Sequence, residues 1–172
     1  MKRKPGVIIA LLLLAGLSFL PFLPRRGGPD EARQFCRAPS ERRRAAFLNY
    51  PLEKQYRLYM SVDKVPSCRA EGASMSSYLG WYMAEDESGR TASYLLDRLN
   101  EEGDEDAQLK VIYALRAIGS NGGLRGRRDI AEAVGRKAAA MRTIPTDRYR
   151  LLGEDPTRRA LALSSEIESY TR

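Results

Sequence analysis

The one stretch of this chain whose residue types and spacing could do covalent chemistry is Ser61-Val62-Asp63-Lys64, which fits Ser-x-x-Lys. One helical turn would set the Lys64 amine beside the Ser61 hydroxyl. A neighbouring amine can take the proton that a serine loses when it attacks a carbonyl. Hydrolases of this kind add Ser-Asp-Asn and Lys-Thr-Gly elements, and the chain has neither. Ser61 and Lys64 are therefore the catalytic pair of an alternative reading, a Ser-Lys dyad hydrolase. The absence of histidine removes Ser-His-Asp and Cys-His catalysis, imidazole acid–base chemistry and histidine-ligated metals. Glu85-Asp86-Glu87 and the acids of 101–106 do not have the spacing of an EF-hand loop. Gly119–Gly126 lacks the Gly-Lys-Ser/Thr ending of a phosphate-binding loop and follows a helical pattern instead of a strand. No cofactor and no metal are expected, and the balance is against an enzyme.

Binding candidates come from two places. The turn Glu101-Glu102-Gly103-Asp104-Glu105 concentrates carboxylates, and Trp81-Tyr82 are the large aromatics that a binding groove would use. Both have plainer readings, as a helix start favoured by its dipole and as core side chains with a polar tip. Cys36 and Cys68 are the only cysteines. In an oxidising compartment they are expected to form a disulfide, whose loop closure stabilises the fold by about 3–4 kcal/mol in the chain-entropy account.

The elements that must hold these residues read as helices. Beyond residue 40 the apolar residues recur at steps of three and four, with no sustained strand alternation. Ser40 is placed to cap a helix through Phe47, and Asn49 with Pro51 to start another carrying Leu52, Tyr56, Tyr59 and Met60. Ser74–Ala84 follows. Thr91 is read as the cap of a helix with Leu95 and Leu99 on one side. The next helix carries Val111, Ala114, Leu115 and Ile118, and Gly119 is read as its stop. Two more helices are expected, near Arg127–Arg142 and from Asp155-Pro156 onward.

Residues 1–26 read differently. Lys2-Arg3-Lys4 precede an apolar run from Val7 to Leu23, and Arg25-Arg26 close it. Those 17 residues span about 25 Å as a helix, the short edge of what crosses a bilayer. The segment is a signal anchor or a signal peptide, and either places residues 27–172 beyond the membrane. The formal charge of +7 comes largely from these flanks, which carry +5. The remainder holds 24 bases against 22 acids, so no nucleic-acid partner is expected. That remainder is segregated: residues 27–70 carry +4, residues 71–118 carry −6 and residues 119–172 carry +4. Solvated helix faces account for such a pattern.

The stretch YLLDRLNEEGDEDAQLKVIYALRAIGSNG, Tyr94–Gly122, resembles a HEAT-like repeat unit: a leucine-rich helix, an acidic turn, and a second helix ending in Ala-Leu…Ile-Gly. It departs from that pattern in lacking a proline in the first helix, and no second copy is visible at a fixed period. The resemblance implies an α-solenoid-like domain that binds other macromolecules through its surface; an ordinary helical hairpin in an irregular domain is the other reading. The chain is thus expected to be all-α, an irregular or HEAT/ARM-like array of about seven short helices. The organisation is membrane segment 1–26, linker 27–39 and helical domain 40–172. The function expected is that of a membrane-tethered or exported (extracytoplasmic) adaptor of the cell envelope with a protein partner, held through residues 7–23.

Overall fold

The computed structural model describes residues 29–68, 75–141 and 156–172, and every regular element among them is helical. The apolar segment 7–23 and its flanks lie outside the described residues. No helix among the described residues is long and apolar enough to cross a membrane. The α-helices described are α1 (Pro29–Arg37), α2 (Ser40–Leu48), α3 (Leu52–Ser61), α4 (Met75–Met83), α5 (Arg90–Glu101), α6 (Glu105–Ser120), α7 (Arg128–Ala140) and α8 (Pro156–Tyr170). Two 3-10 turns, Val62–Lys64 and Pro66–Cys68, follow α3.

The helix that spacing did not predict is α1, in the stretch assigned to a linker, residues 27–39. Gly27-Gly28-Pro29 punctuates the sequence, but Pro29 is the first residue of the helix, where proline is tolerated. Asp30 and Glu31 occupy its first turn and Arg37 its last, each suited to the helix dipole. Ala32 and Phe35 are buried.

Helices α3 to α8 form three antiparallel pairs stacked in register. Gly80 lies against the ring of Tyr59, and Tyr82 and Met83 face Leu52 and Gln55, so α4 runs back along α3. The three residues between α5 and α6 fold one back on the other. Gly135 meets Ser164, and the Gly126 N–H donates to the Thr171 carbonyl, so α8 runs back along α7. Between pairs the order is parallel. Arg127 donates to Ser93 Oγ and Lys137 to the carbonyls of Asn100 and Glu102, setting α7 alongside α5. Tyr113, Arg116 and Gly119 meet Arg159, Glu166 and Tyr170, setting α8 alongside α6. Tyr56 packs edge-on against Tyr94 with ring centres 6.0 Å apart, joining α3 to α5. The first helices of the pairs begin at Leu52, Arg90 and Arg128, 38 residues apart each time.

Helix α6 is the shared wall of this stack, packing on α4, α5 and α8. Ten of its 16 residues are buried, which a helix with one covered face could not reach. Its buried Gln108 is satisfied by the Glu102 carbonyl at 2.7 Å. Helices α1 and α2 close the first pair. Phe47 of α2 sits between Phe35 and Tyr82, at centroid distances of 6.2 and 6.1 Å.

Several helix boundaries differ from those read in the sequence. Ser40 lies inside α2, after Pro39 at the cap position, and its hydroxyl donates to Glu41. Asn49 ends α2 instead of starting α3, donating its side-chain amide to the Ala45 carbonyl. Thr91 is buried within α5, which begins after Gly89 at φ 71°. Gly119 does not stop α6, which continues to Ser120. It is small because a Cβ there would sit 2.5 Å from Tyr170 Cδ2.

Two tests follow from this packing. Cys36 and Cys68 form a disulfide, with Cα atoms 5.2 Å apart, that ties α1 to the second 3-10 turn. Alkylation without reductant should therefore modify neither cysteine, and opening a loop of sequence separation 32 should cost about 3–4 kcal/mol in urea unfolding. Gly119→Ala should lower stability by about 1–3 kcal/mol through overpacking against Tyr170. Gly103→Ala, where a Cβ meets nothing within 4 Å, should stay within about 0.5 kcal/mol.

Candidate functional site

Two chain corners meet at the first two pairs and leave a groove between them. One corner is the α2–α3 turn, fixed from inside by buried Gln55, whose side-chain amide donates to the Tyr50 carbonyl at 2.9 Å. Pro51 opens α3 as its cap residue with extended backbone, which turns the chain sharply after Tyr50. The other corner joins α4 to α5 and is built on Asp86. One carboxylate oxygen accepts from the Ser88 N–H at 3.0 Å and from the Ser88 hydroxyl. The other accepts from the Thr91 N–H at 2.8 Å and from the Thr91 hydroxyl at 2.7 Å. Asp86 thus does the capping work that the sequence suggested for Thr91.

The groove has a volume of about 300 Å³ and runs past Leu48, Tyr50, Leu52, Tyr82 and Met83, with Arg90 at one edge. Its rim is fixed by charge pairs. Arg44 donates through Nε to Glu85 at 3.0 Å and makes a second bond through its terminal nitrogen. Lys54 pairs with Glu31 at 3.1 Å and sits 3.7 Å over the Tyr50 ring. Arg90 is exposed. The groove thus sets the apolar and aromatic side chains beside the carboxylates of Glu85 and Asp86 and the polar groups of Gln55 and Thr91, with the Arg90 cation at one edge.

The other candidates fall elsewhere. Trp81 and Tyr82 are adjacent in sequence but separate in role: Tyr82 is half-buried on the groove wall, while Trp81 points away, 49% exposed. The acidic turn is occupied by its own backbone. Asp104 caps α6 by accepting from the Ala107 N–H at 3.0 Å. Glu102 accepts from the N–H groups of Gly103 and Asp104, and Glu101 pairs with Arg98 at 3.0 Å. Glu105 lies half-buried in the first turn of α6. Ser61 ends α3 with its hydroxyl donating to the Leu58 carbonyl at 3.3 Å, and Lys64 is exposed one 3-10 turn further on. No hydrogen bond joins Ser61 to Lys64, and the intervening Asp63 pairs with Lys110 at 2.9 Å. Among the described residues no group of three or more Cys, Asp or Glu is placed to hold a metal ion.

Of the groove residues, Leu48, Tyr50 and Arg90 were not singled out in the sequence, and Leu52 and Asp86 were read there only as an apolar helix position and as one of a run of acids. Asp86 followed by Ser88 and Thr91 is a legible side-chain cap, but a run of three acids reads first as a solvated helix end. Compared with known protein families, curated proteins and solved structures, the chain matches none.

The titration of Asp86 supplies a test of the corner. Burial disfavours its charge, but the hydrogen bonds from Ser88 and Thr91 outweigh that and hold its pKa at about 2, below the ordinary aspartate value of 3.8. A carboxyl lowered on folding adds stability above its unfolded pKa and loses it as pH falls through the folded one. Stability contributed by Asp86 should therefore be complete above about pH 4 and fade toward pH 2. Asp86→Ala should cost about 1 kcal/mol at neutral pH, as the loss of a cap does, and should flatten that acid limb in urea titrations.

Proposed function

We propose that this chain is an adaptor of the cell envelope, tethered through residues 7–23 or exported, whose helical stack binds a protein partner in the groove between the α2–α3 and α4–α5 corners. The observation that carries this reading is the groove itself. Its lining combines Leu48, Tyr50, Leu52 and Tyr82 with the carboxylates of Glu85 and Asp86 and the Arg90 cation, and its shape is set by hydrogen bonds within both corners. A preformed groove of that composition loses little conformational entropy when a segment docks. The HEAT-like resemblance of Tyr94–Gly122 is part of the proposal. It is supported by a helix pair stacked on either side of that unit and by the 38-residue recurrence of the first helices. A single unit could not bury its faces alone, and here both neighbours are supplied. The Ser61–Lys64 hydrolase draws less support, since the Ser61 proton is directed to the backbone of its own helix.

The test is a photoreactive residue placed at exposed Leu48 on the groove wall, with a control at exposed Ala139 on α7, irradiated in intact cells. One saturable crosslinked protein from position 48, absent from position 139 and weakened by Tyr82→Ala, is the expected result. No crosslink from position 48, together with a Ser61→Ala phenotype, would replace the adaptor with the hydrolase.

A further inference from the structure

Helix α4, Met-Ser-Ser-Tyr-Leu-Gly-Trp-Tyr-Met, contains no charged residue over its nine positions. A helix of that composition is ordinarily enclosed. Its inner face is, through Met75, Leu79, Gly80 and Met83. The opposite arc carries Ser77, Tyr78, Trp81 and, just past the helix end, Glu85, all of them exposed. Tyr78 and Trp81, one turn apart, are 45% and 49% exposed; of the acids that follow the helix, Glu85 is paired with Arg44 and Asp86 is held by Ser88 and Thr91, while Glu87 is exposed. Within Met75–Met83 this arc is therefore an aromatic stripe with no charged residue of its own.

Its size argues for one kind of surface. Two half-exposed aromatic side chains offer on the order of 200 Å². A stable protein interface needs roughly 800 Å² from each partner. The same two side chains match the headgroup level of a bilayer, where the ring enters the apolar boundary and the indole N–H or phenol stays hydrated. The rest of the first layer fits such a surface. Arg37 of α1 and Arg42 of α2 are exposed and make no ion pair among the described residues, and Arg25 and Arg26 precede α1 in the chain. Between Leu23 and Pro29 lie five residues, a reach of at most about 18 Å. A tether that short holds the first layer at high effective concentration against the membrane, so shallow insertion suffices.

We propose that the Tyr78–Trp81 stripe of α4 is a membrane-docking surface that rests on an anionic phospholipid bilayer, setting the orientation of the stack relative to the membrane. This rests on the tethered reading above, because the tether supplies the proximity. Docking by the first layer would leave α7 and α8, two layers away, directed outward.

Trp81 is the only tryptophan of the chain, so intrinsic fluorescence reports this position alone. The full chain is reconstituted into vesicles of phosphatidylcholine and phosphatidylglycerol, with and without lipid brominated near the glycerol. A second form, Trp81→Phe with Leu161→Trp, moves the reporter to an exposed position on α8. Docking is expected to shift Trp81 emission to shorter wavelength and to quench most of it with brominated lipid. The α8 reporter should stay unquenched. Omitting phosphatidylglycerol, or the pair Arg37→Glu and Arg42→Glu, should restore most of the Trp81 intensity. A chain that floats with the vesicles while Trp81 stays unquenched would overturn the docking surface and leave the tether standing. A chain that does not float would remove the tether and the docking surface with it. Equal quenching of both reporters would overturn the orientation, and a shift that follows protein density instead of brominated lipid would assign the stripe to a second copy of this chain.

Discussion

Because α6 carries Leu109, Val111, Ile112, Leu115 and Ile118 around most of its circumference, water can be kept from it only by helices on several sides. That requirement sets the order of the stack. Helix α5 covers one side through a three-residue turn too short to allow any other placement. The remaining sides must come from helices distant in sequence, α4 before it and α8 after it. Each has its own partner to bring along, α3 with α4 and α7 with α8. The close approach of α8 depends on Gly119, where a Cβ would sit 2.5 Å from the Tyr170 ring.

The polar contacts are subordinate to this packing but decide where surfaces form. The Tyr59 hydroxyl reaches the Lys110 carbonyl at 2.6 Å, linking the first pair to the second. Lys137 donates to carbonyls at the end of α5, groups a helix terminus otherwise leaves to water. At the α4–α5 corner a single carboxylate, Asp86, satisfies two backbone N–H groups and two hydroxyls. A corner so restrained holds one shape, and the groove beside it inherits that shape. The exposed ion pairs along the rim, such as Arg44–Glu85, contribute little to stability; their effect is to fix side-chain positions.

The helical class and most helix centres were legible because amphipathic spacing survives whatever the helices pack against. Leu95 and Leu99, Val111 and Leu115, and Ile130 and Val134 are all buried at the expected steps. Helix α1 was not legible, since a short helix closed by a disulfide needs only Ala32 and Phe35 as apolar contacts and leaves no periodic run. The caps were misread where a side chain acts from outside the pattern. Thr91 has the right chemistry for a cap, but Asp86 lies five residues upstream, across a glycine of positive φ. The recurrence of helix pairs was hidden for a related reason. Connections within the pairs run over residues 62–74, 102–104 and 141–155, so the second helices drift while the first ones keep step. Of the site, Tyr82 was legible as a large aromatic on a helix. The groove was not, because its walls come from four elements that only the stack brings together.

The two ends of the stack are not equivalent, and the difference bears on function. A terminal layer of stacked helices normally turns a charged face to water, because nothing further will cover it. Helices α7 and α8 largely obey, with Arg128, Glu132, Arg136, Glu168 and Arg172 exposed and Leu161 the one large apolar exception. The first layer does not. It has two additional helices, α1 and α2, bound over it by a disulfide and an aromatic cluster, and yet α4 still presents Tyr78 and Trp81. Tyr78 and Trp81 lie off the buried face of α4, so packing of the core does not require aromatic residues there. The uncharged stripe lies on the first layer, and the groove lies between that layer and the start of α5. Both proposed contact surfaces fall at the layer braced by α1, α2 and the disulfide, as a binding surface requires if docking is not to deform it.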